Sequence, residues 1–247
     1  MSCVSRDGYD LDVAEEIAQY VAYTLYRVDP AWRRLPAEER AAAKEAFAEV
    51  VEDWQELTTL RTYSLVGVRP EVDFMLWKLT ERYDDLRELG AALNATPLAG
   101  WLTTPYSYLA AAKYSAYFEN ESRRGPRRVV PRGAPYLVVY PFVKKREWYA
   151  LPMEDRRRAM HEHAEVGSRW PTITNHTTYS FGIDDQEFMT AFECEAPVDF
   201  LELMKALRET EASRYTERDT PIFVGSAEGI RSILDSLDGA RAGVTLP

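Results

Sequence analysis

Apolar and polar positions along the chain predict the same order of elements twice. Residues 20–28 are rich in β-forming side chains, and a helix is predicted from Leu35-Pro36, since proline and the acids that follow it suit a first turn. Residues 60–68 and 73–79 alternate around a glycine as a β-hairpin does. The remaining predicted segments are an amphipathic helix at 81–93 and, in the second half, strand 136–143, helix 152–170, strands 172–181 and 187–193, and helix 198–207.

The two halves share residues at a nearly constant offset, which indicates an internal duplication. Residues 32–50 align without a gap to residues 148–166, at an offset of 116. The identical pairs in this block are Trp32 and Trp148, Leu35 and Leu151, Pro36 and Pro152, Glu38 and Glu154, Arg40 and Arg156, Ala43 and Ala159, Ala48 and Ala164, Glu49 and Glu165, and Val50 and Val166. A second block repeats Phe74-Met75 and Ala92-Leu93 as Phe188-Met189 and Ala206-Leu207, at an offset of 114.

This duplication predicts an α+β protein built from tandem ferredoxin-like repeats. We expect a dimeric α+β barrel in which two sheets pack face to face with the helices outside. Residues 1–125 would form the N-terminal repeat with a connecting loop, and residues 126–247 the C-terminal repeat. Loop-rich chain is expected near residues 95–135, and the segment TPIFVG after Arg218 is predicted to complete the sheet with a further strand.

Composition narrows the possible partners. With 46% hydrophobic and 28% charged residues, the chain resembles a globular domain, and no apolar run approaches the roughly 18 residues of a membrane span. We therefore expect no membrane insertion. A net charge of −10 argues against nucleic acid as a partner. The only cysteines, Cys3 and Cys194, are too few for a disulfide framework, which favours a reducing, cytoplasmic location.

A histidine marks the clearest difference between the two copies. His163 aligns with Phe47, and helical spacing places both on the apolar face of their helices. It is one of three histidines; His161 is predicted to lie on the solvated side of the same helix, and His176 on the following strand. Two interpretations of His163 stay open: a core histidine hydrogen-bonded to a carbonyl group, or a metal ligand.

A lone helical histidine suits iron in a porphyrin better than zinc. Zinc needs several protein ligands, whereas a porphyrin supplies most of the ligands of its iron. A basic segment lies between the two halves: Arg123, Arg124, Arg127, Arg128 and Arg132, followed by Lys144, Lys145 and Arg146. This segment is either a solvated or subunit-facing loop, or a set of partners for tetrapyrrole carboxylates.

Several segments resemble the coproheme decarboxylases of the chlorite dismutase-like superfamily. They are YPFVKKREWYALPMEDRRRAMHEHAEVG at 140–167, FGIDDQEFMTAFE at 181–193, LMKALRETEASRYTERDTPIFVG at 203–225 and DFMLWKLTERYDDL at 73–86. The resemblance implies a two-repeat ferredoxin-like fold with haem in the C-terminal repeat, and a homopentamer. It also implies hydrogen peroxide-dependent oxidative decarboxylation of iron coproporphyrin III (coproheme) to haem b through a tyrosyl radical, with no other metal.

The resemblance also assigns individual residues. His163 falls on the proximal iron ligand, Tyr140 on the tyrosine that becomes the radical, and Lys144 on the lysine near the substrate propionates. Glu211 is the expected carboxylate that orients His163, a role that would fix the imidazole tautomer. Three further residues are expected to contact the porphyrin: Arg124, Arg132 and Ser213. Thr24 replaces Tyr140 in the first copy, so the fold itself does not require the phenol.

One departure separates the chain from chlorite dismutases. Those enzymes carry an arginine on the strand corresponding to 172–181, where this chain has Asn175 or His176 instead. The absence of arginine weakens chlorite dismutation as the activity. We hypothesise that His176 is the distal base for peroxide, the alternative being a strand histidine that faces solvent. The competing functions are a chlorite dismutase or haem peroxidase of the same fold, and a non-catalytic haem-binding protein.

Overall fold

The computed structural model describes residues 19–118 and 128–238. Its strands are β1 Tyr20–Val28, β2 Thr59–Ser64, β3 Phe74–Thr80, β4 Leu102–Ala111, β5 Tyr136–Lys144, β6 Thr174–Tyr179, β7 Phe188–Cys194, β8 Thr216–Arg218 and β9 Phe223–Ala227. Its α-helices are α1 Ala37–Leu57, α2 Tyr83–Asn94, α3 Arg146–Ala150, α4 Met153–Gly167, α5 Pro197–Arg208 and α6 Ile230–Ser236. Short 3-10 helices span Pro30–Arg34, Pro97–Trp101 and Glu211–Tyr215.

Eight of the described strands form two equivalent four-stranded halves that join into a barrel, and the short β8 pairs with the end of β5. The N-terminal half has the order β4-β1-β3-β2, and the C-terminal half has the matching order β9-β5-β7-β6. At the two seams, β2 pairs with β9 and β4 pairs with β6, so the antiparallel sheet closes on itself. The predicted α+β fold with two duplicated units is therefore confirmed, and the segment TPIFVG does add a strand, β9.

Alternation along the strands divides the core into an interior and two outer layers. The barrel interior is filled by large side chains such as Tyr23, Trp77 and Met189. The outer face of the N-terminal half is covered by α1, α2 and α6, where Phe47 and Phe74 are fully buried. The outer face of the C-terminal half is covered by α4 and α5, but less completely. Burying apolar strand faces on both sides of the sheet is the main stabilising contribution of this layered arrangement.

One strand lies where the sequence predicts loop. β4 falls within the stretch 95–135, which the sequence predicts to be loop-rich. Its outward residues are polar, and Pro105 counts against a strand. In the structure, Pro105 is exposed and sits where the register between β1 and β4 shifts, between Leu25 and Arg27. Such a bulge needs no amide donor from proline. The predicted boundary between the two repeats, at residues 125 and 126, lies outside the described residues. The same is true of four predicted or noted residues: Cys3, Arg123, Arg124 and Arg127.

Within the two described ranges, no helix is both long enough and apolar enough to cross a bilayer.

Candidate functional site

A cavity of about 280 Å³ opens in the C-terminal half, between the outer face of the sheet and the helices α4 and α5. The volume is near the lower end of the range for small-molecule pockets. Phe142, Phe188 and Phe192 give it flat aromatic walls. The polar residues that border it are Lys113, Ser115, Tyr117, Tyr140, Lys144, His163, Asn175, His176, Thr177, Tyr179, Thr190, Arg208, Ser213, Thr216 and Asp219. Five of the predicted site residues, Tyr140, Lys144, His163, His176 and Ser213, thus border the same cavity.

His163 borders this cavity from α4. The equivalent residue of the N-terminal repeat, Phe47, instead packs edge-on against Tyr26 and Phe74 and fills the corresponding space. Burial lowers the pKa of His163 to about 4, and the positive charge of Lys144 acts in the same direction. The imidazole is therefore neutral at physiological pH and keeps one ring nitrogen free of a proton. A neutral imidazole is the form that binds iron.

The partner of His163 is a hydroxyl group, not the expected carboxylate. Nδ1 lies 3.0 Å from Oγ1 of Thr210. Glu211 follows directly, at the start of a 3-10 helix, and its side chain is directed towards Arg158, with 3.9 Å between Oε1 and Nη2. The Glu211 side chain is 38% exposed. The structure therefore places Thr210, and not Glu211, in contact with the His163 ring.

Tyr140 is buried on β5, with only 4% of its surface exposed. Its ring stacks with Phe192 at a centroid distance of 6.1 Å, and its hydroxyl lies 3.8 Å from Sδ of Met204, a weak acceptor. Burial raises the pKa of Tyr140 to about 12. The phenol therefore keeps its proton at neutral pH, so a tyrosinate is not its resting form.

Lys144 carries a buried positive charge at the end of β5. Nζ donates a hydrogen bond of 2.7 Å to the carbonyl of Ala212 and lies 4.4 Å from the centre of the Trp148 ring. Burial lowers the pKa of Lys144 to about 8, although the negative charge of Glu187 opposes this shift. Among the described residues, no carboxylate lies within 4.0 Å of Nζ. An ammonium group with donors to spare in a cavity wall favours an anionic ligand.

His176 is held on the other side of the sheet from Tyr140. In the pairing of β6 with β7, His176 lies opposite Ala191 of the barrel interior, whereas Thr177 lies opposite Thr190 of the cavity. Its Nε2 is 2.7 Å from Oε2 of Glu193, and its Nδ1 is buried. His176 therefore borders the cavity without presenting a ring nitrogen to it. Its role as a distal base stays a prediction that this geometry does not favour.

Glu193, the partner of His176, also binds the backbone just before β5. Its carboxylate accepts hydrogen bonds from the backbone N–H groups of Arg132 and Gly133, at 2.8 and 2.7 Å. Burial opposes ionisation of Glu193, but these bonds and the one from His176 together hold its pKa below the usual value. Gly133 has a φ of +79°, in the region that favours glycine. The pair thus fixes a tight turn beside the cavity.

We expect His176→Ala to lower the free energy of unfolding by at least about 2 kcal/mol, because it leaves a buried carboxylate short of a partner. Urea denaturation measures this loss. Asn175→Ala is the matched control, since the neighbouring Asn175 is exposed and should lose little stability. A His176→Ala protein that keeps its stability but loses peroxide-driven turnover would support the distal-base role instead.

The predicted arginine contacts are not those that the structure brings to the cavity. The side chain of Arg132 is exposed and does not border it, and Arg124 lies outside the described residues. Arg208 of α5 does border the cavity and pairs with Asp219. No sequence pattern distinguishes Arg208 from other surface arginines. Thr210, in contrast, repeats Thr96 of the first copy at the offset of 114, so a longer alignment of the repeats would have found it.

In the part of the chain that the structure describes, no three or more histidine, cysteine or acidic side chains gather as a metal site would require.

Comparison with known proteins gives concordant relatives. The sequence profile of the family described as chlorite dismutase matches residues 40–228. A protein named coproheme decarboxylase, from Mycolicibacterium smegmatis, is 27% identical over 230 residues, which is 92% of this chain and 98% of that protein.

Solved structures give the same picture. A mutant chlorite dismutase from Candidatus Nitrospira defluvii superimposes with a TM-score of 0.82 at 27% identity, covering 90% of this chain and 96% of that one. A structure described as a novel heme-binding protein from Thermus thermophilus superimposes with a TM-score of 0.81 at 25% identity, covering 90% and 95%.

Proposed function

This chain belongs to the chlorite dismutase family, and from that premise we propose that it converts iron coproporphyrin III to haem b by hydrogen peroxide-dependent oxidative decarboxylation. One observation carries the proposal. A buried phenol, Tyr140, a buried ammonium, Lys144, and a neutral imidazole, His163, border the same cavity. The coproheme decarboxylase of Mycolicibacterium smegmatis supports this choice within the family.

The residues of the cavity fit an iron porphyrin that bears carboxylates. His163 would bind the iron, since it is neutral and is the one histidine that replaces a core phenylalanine of the other repeat. Lys144 would pair with a propionate, because its Nζ has N–H donors beyond the one that Ala212 accepts. The aromatic walls suit the flat macrocycle. Ser213 and Arg208 border the cavity and are further candidates for polar contacts with the porphyrin edge.

When bound, the ferric porphyrin supplies the centre at which peroxide accepts two electrons. Tyr140 contributes an electron together with its proton, which its raised pKa keeps on the phenol beforehand. The resulting phenoxyl radical takes a hydrogen atom from the β-carbon of a propionate and becomes a phenol again. Loss of a second electron and of carbon dioxide leaves a vinyl group. For each propionate, one peroxide and one proton are consumed, and one carbon dioxide and two waters are formed.

Burial of Tyr140 serves this chemistry by excluding water from the radical. The phenol stacks on Phe192, and its hydroxyl lies near the thioether of Met204 and the side chain of Thr190, none of which takes its proton as a carboxylate would. Lys144, four residues further along the same strand, would hold a propionate close to the phenol. Positioning of this kind is a main source of rate enhancement.

Chlorite dismutation is the alternative within the family, and the wall formed by β6 argues against it. Its cavity-facing residues are Asn175, Thr177 and Tyr179, and none of them carries a positive charge. The Thr177 hydroxyl donates to the Asn175 side chain at 2.9 Å. We therefore expect no oxygen release when the haem b-loaded protein receives chlorite, and vinyl formation when the coproheme-loaded protein receives peroxide. Oxygen release from chlorite without vinyl formation from coproheme would select the alternative.

Coproheme affinity should fall as pH rises above about 8, the pKa of Lys144 in the free protein. An anionic ligand favours the ammonium form, so binding takes up a proton above this pH and none below it. The loss should not exceed about tenfold per pH unit for one group. Lys144→Met should bind at least about tenfold more weakly and lose this pH dependence. Equilibrium titrations from pH 6 to pH 10 measure both effects.

The matched control is Lys145→Ala, since Lys145 is the exposed neighbour of Lys144. It should keep both the affinity and the pH dependence of the unmodified protein. Equal effects of both substitutions would mean that the charge of the whole basic segment, and not the buried ammonium, attracts the porphyrin.

We also propose a homopentamer located in the cytoplasm, as the family resemblance implies. Light scattering of the purified protein gives the number of subunits directly, and any other number would contradict that part of the proposal.

A further inference from the structure

The hydroxyl of Thr210 lies between the His163 ring and the backbone of α5. Its Oγ1 is 3.0 Å from Nδ1 of His163 and 2.7 Å from the carbonyl oxygen of Leu207. Thr210 is only 2% exposed, so water does not compete for these contacts. A hydroxyl has one proton, and a carbonyl oxygen can only accept. If the hydroxyl donates its proton to the Leu207 carbonyl, its contact with His163 is a hydrogen bond only when Nδ1 of the ring carries a proton and donates it to Oγ1.

The internal duplication shows where the threonine proton goes. Thr96 occupies the same place in the N-terminal repeat, and its Oγ1 donates to the carbonyl of Leu93 at the same distance, 2.7 Å. The helix residue of that repeat that matches His163 is Phe47, which has no hydrogen-bonding group. The bond from threonine to the carbonyl therefore belongs to the fold and forms without a histidine. The direction of the Thr210 proton is set by the end of α5.

We propose that Thr210 is a positioning residue: its hydroxyl accepts a hydrogen bond from Nδ1–H of His163, which leaves Nε2 as the unprotonated nitrogen available to a porphyrin iron. The part that concerns iron rests on the proposed function, whereas the tautomer is a property of the protein alone. An uncharged hydroxyl polarises imidazole less than a carboxylate does, so the ring is a less basic ligand than it would be with a glutamate partner.

The first test is the tautomer of His163 in the ligand-free protein. Solid-state NMR of protein labelled with ¹⁵N at histidine distinguishes a protonated from an unprotonated ring nitrogen, and His163→Gln assigns the signals. We expect Nδ1 to be protonated in the unmodified protein and in Thr210→Ser. In Thr210→Val the preference should be lost. A ring protonated at Nε2 in the unmodified protein would overturn the proposal.

Thr96→Val is the matched control, because it removes the same threonine-to-carbonyl bond in the repeat that has no histidine. It should reproduce any loss of thermal stability seen in Thr210→Val but leave the His163 signals unchanged. A shift of those signals in Thr96→Val equal to that in Thr210→Val would show a general loosening of the fold and would contradict the specific role of Thr210.

The second test uses the porphyrin-loaded protein. Thr210→Val should release coproheme about tenfold faster, at the low end of the effect of losing a partner of a metal-bound histidine. It should also lower the iron–imidazole stretching frequency of the ferrous form, and Thr210→Ser should restore both. Failure of every variant to bind porphyrin would refute the proposed function but leave the tautomer result intact. Bound porphyrin with identical values in Thr210→Val would refute the role of Thr210.

Discussion

Tyr140→Phe should abolish vinyl formation from coproheme while the porphyrin still binds. The substitution removes the one O–H bond that the proposed radical chemistry breaks, and rate losses of about 10³-fold or more are typical when a directly participating group is removed. The protein should remain folded, because the hydroxyl has only a weak contact with the Met204 thioether and a neutral partner in the Thr190 side chain, and its loss should cost about 1 kcal/mol. Product analysis by mass after peroxide addition, beside a coproheme binding titration, measures both expectations.

Tyr179→Phe provides the matched control for this prediction. Tyr179 is also a tyrosine that borders the cavity, but it belongs to β6. It should form vinyl groups at nearly the unmodified rate. Normal turnover in Tyr140→Phe would remove Tyr140 from the mechanism. Loss of turnover only in Tyr179→Phe would move the radical to that residue.

His163→Ala should weaken coproheme binding at least about 100-fold, equivalent to about 2.7 kcal/mol. Nδ1 of His163 contacts Thr210, so that Nε2 remains for the iron, whereas Nε2 of His176 is bound to Glu193 and its Nδ1 is buried, without a partner among the described residues. Removing His163 leaves the iron without a ligand from the protein. The position and intensity of the main porphyrin absorption band give the affinity and show whether an imidazole is bound.

His161→Ala should leave the affinity unchanged, since His161 is exposed on the same helix and stacks against Phe118. Added imidazole should restore the absorption spectrum of His163→Ala by entering the space that the side chain leaves. Tight binding by His163→Ala with an unaltered spectrum would assign the iron to another ligand.

The architecture follows from the duplication in the sequence. The matched blocks predict two copies of one unit, and such units bury their sheets by pairing, so the barrel is the expected outcome. The duplication also identifies His163, because its counterpart Phe47 shows what the fold needs at that position. Tyr140 and Thr24 make the same contrast. A repeat thus separates residues required for folding from residues that serve a site.

Other features depend on geometry that a local pattern does not contain. β4 is missed because Pro105 and the exposed polar residues around it are typical of loops, and only its pairing with β1 makes it a strand. Predicting which face of β6 carries His176 requires the register with β7, since a shift of one residue reverses every side chain. Glu211 and Thr210 are neighbours in sequence, and only the turn after α5 decides which one meets His163.

The central claim is tested most directly by adding peroxide in measured amounts to the protein loaded with iron coproporphyrin III and determining the masses of the porphyrins. We predict a stepwise loss of two carboxyl groups, with one peroxide consumed for each and haem b as the end product. Peroxide consumption that leaves the porphyrin mass unchanged, or only bleaches the porphyrin, would contradict the account.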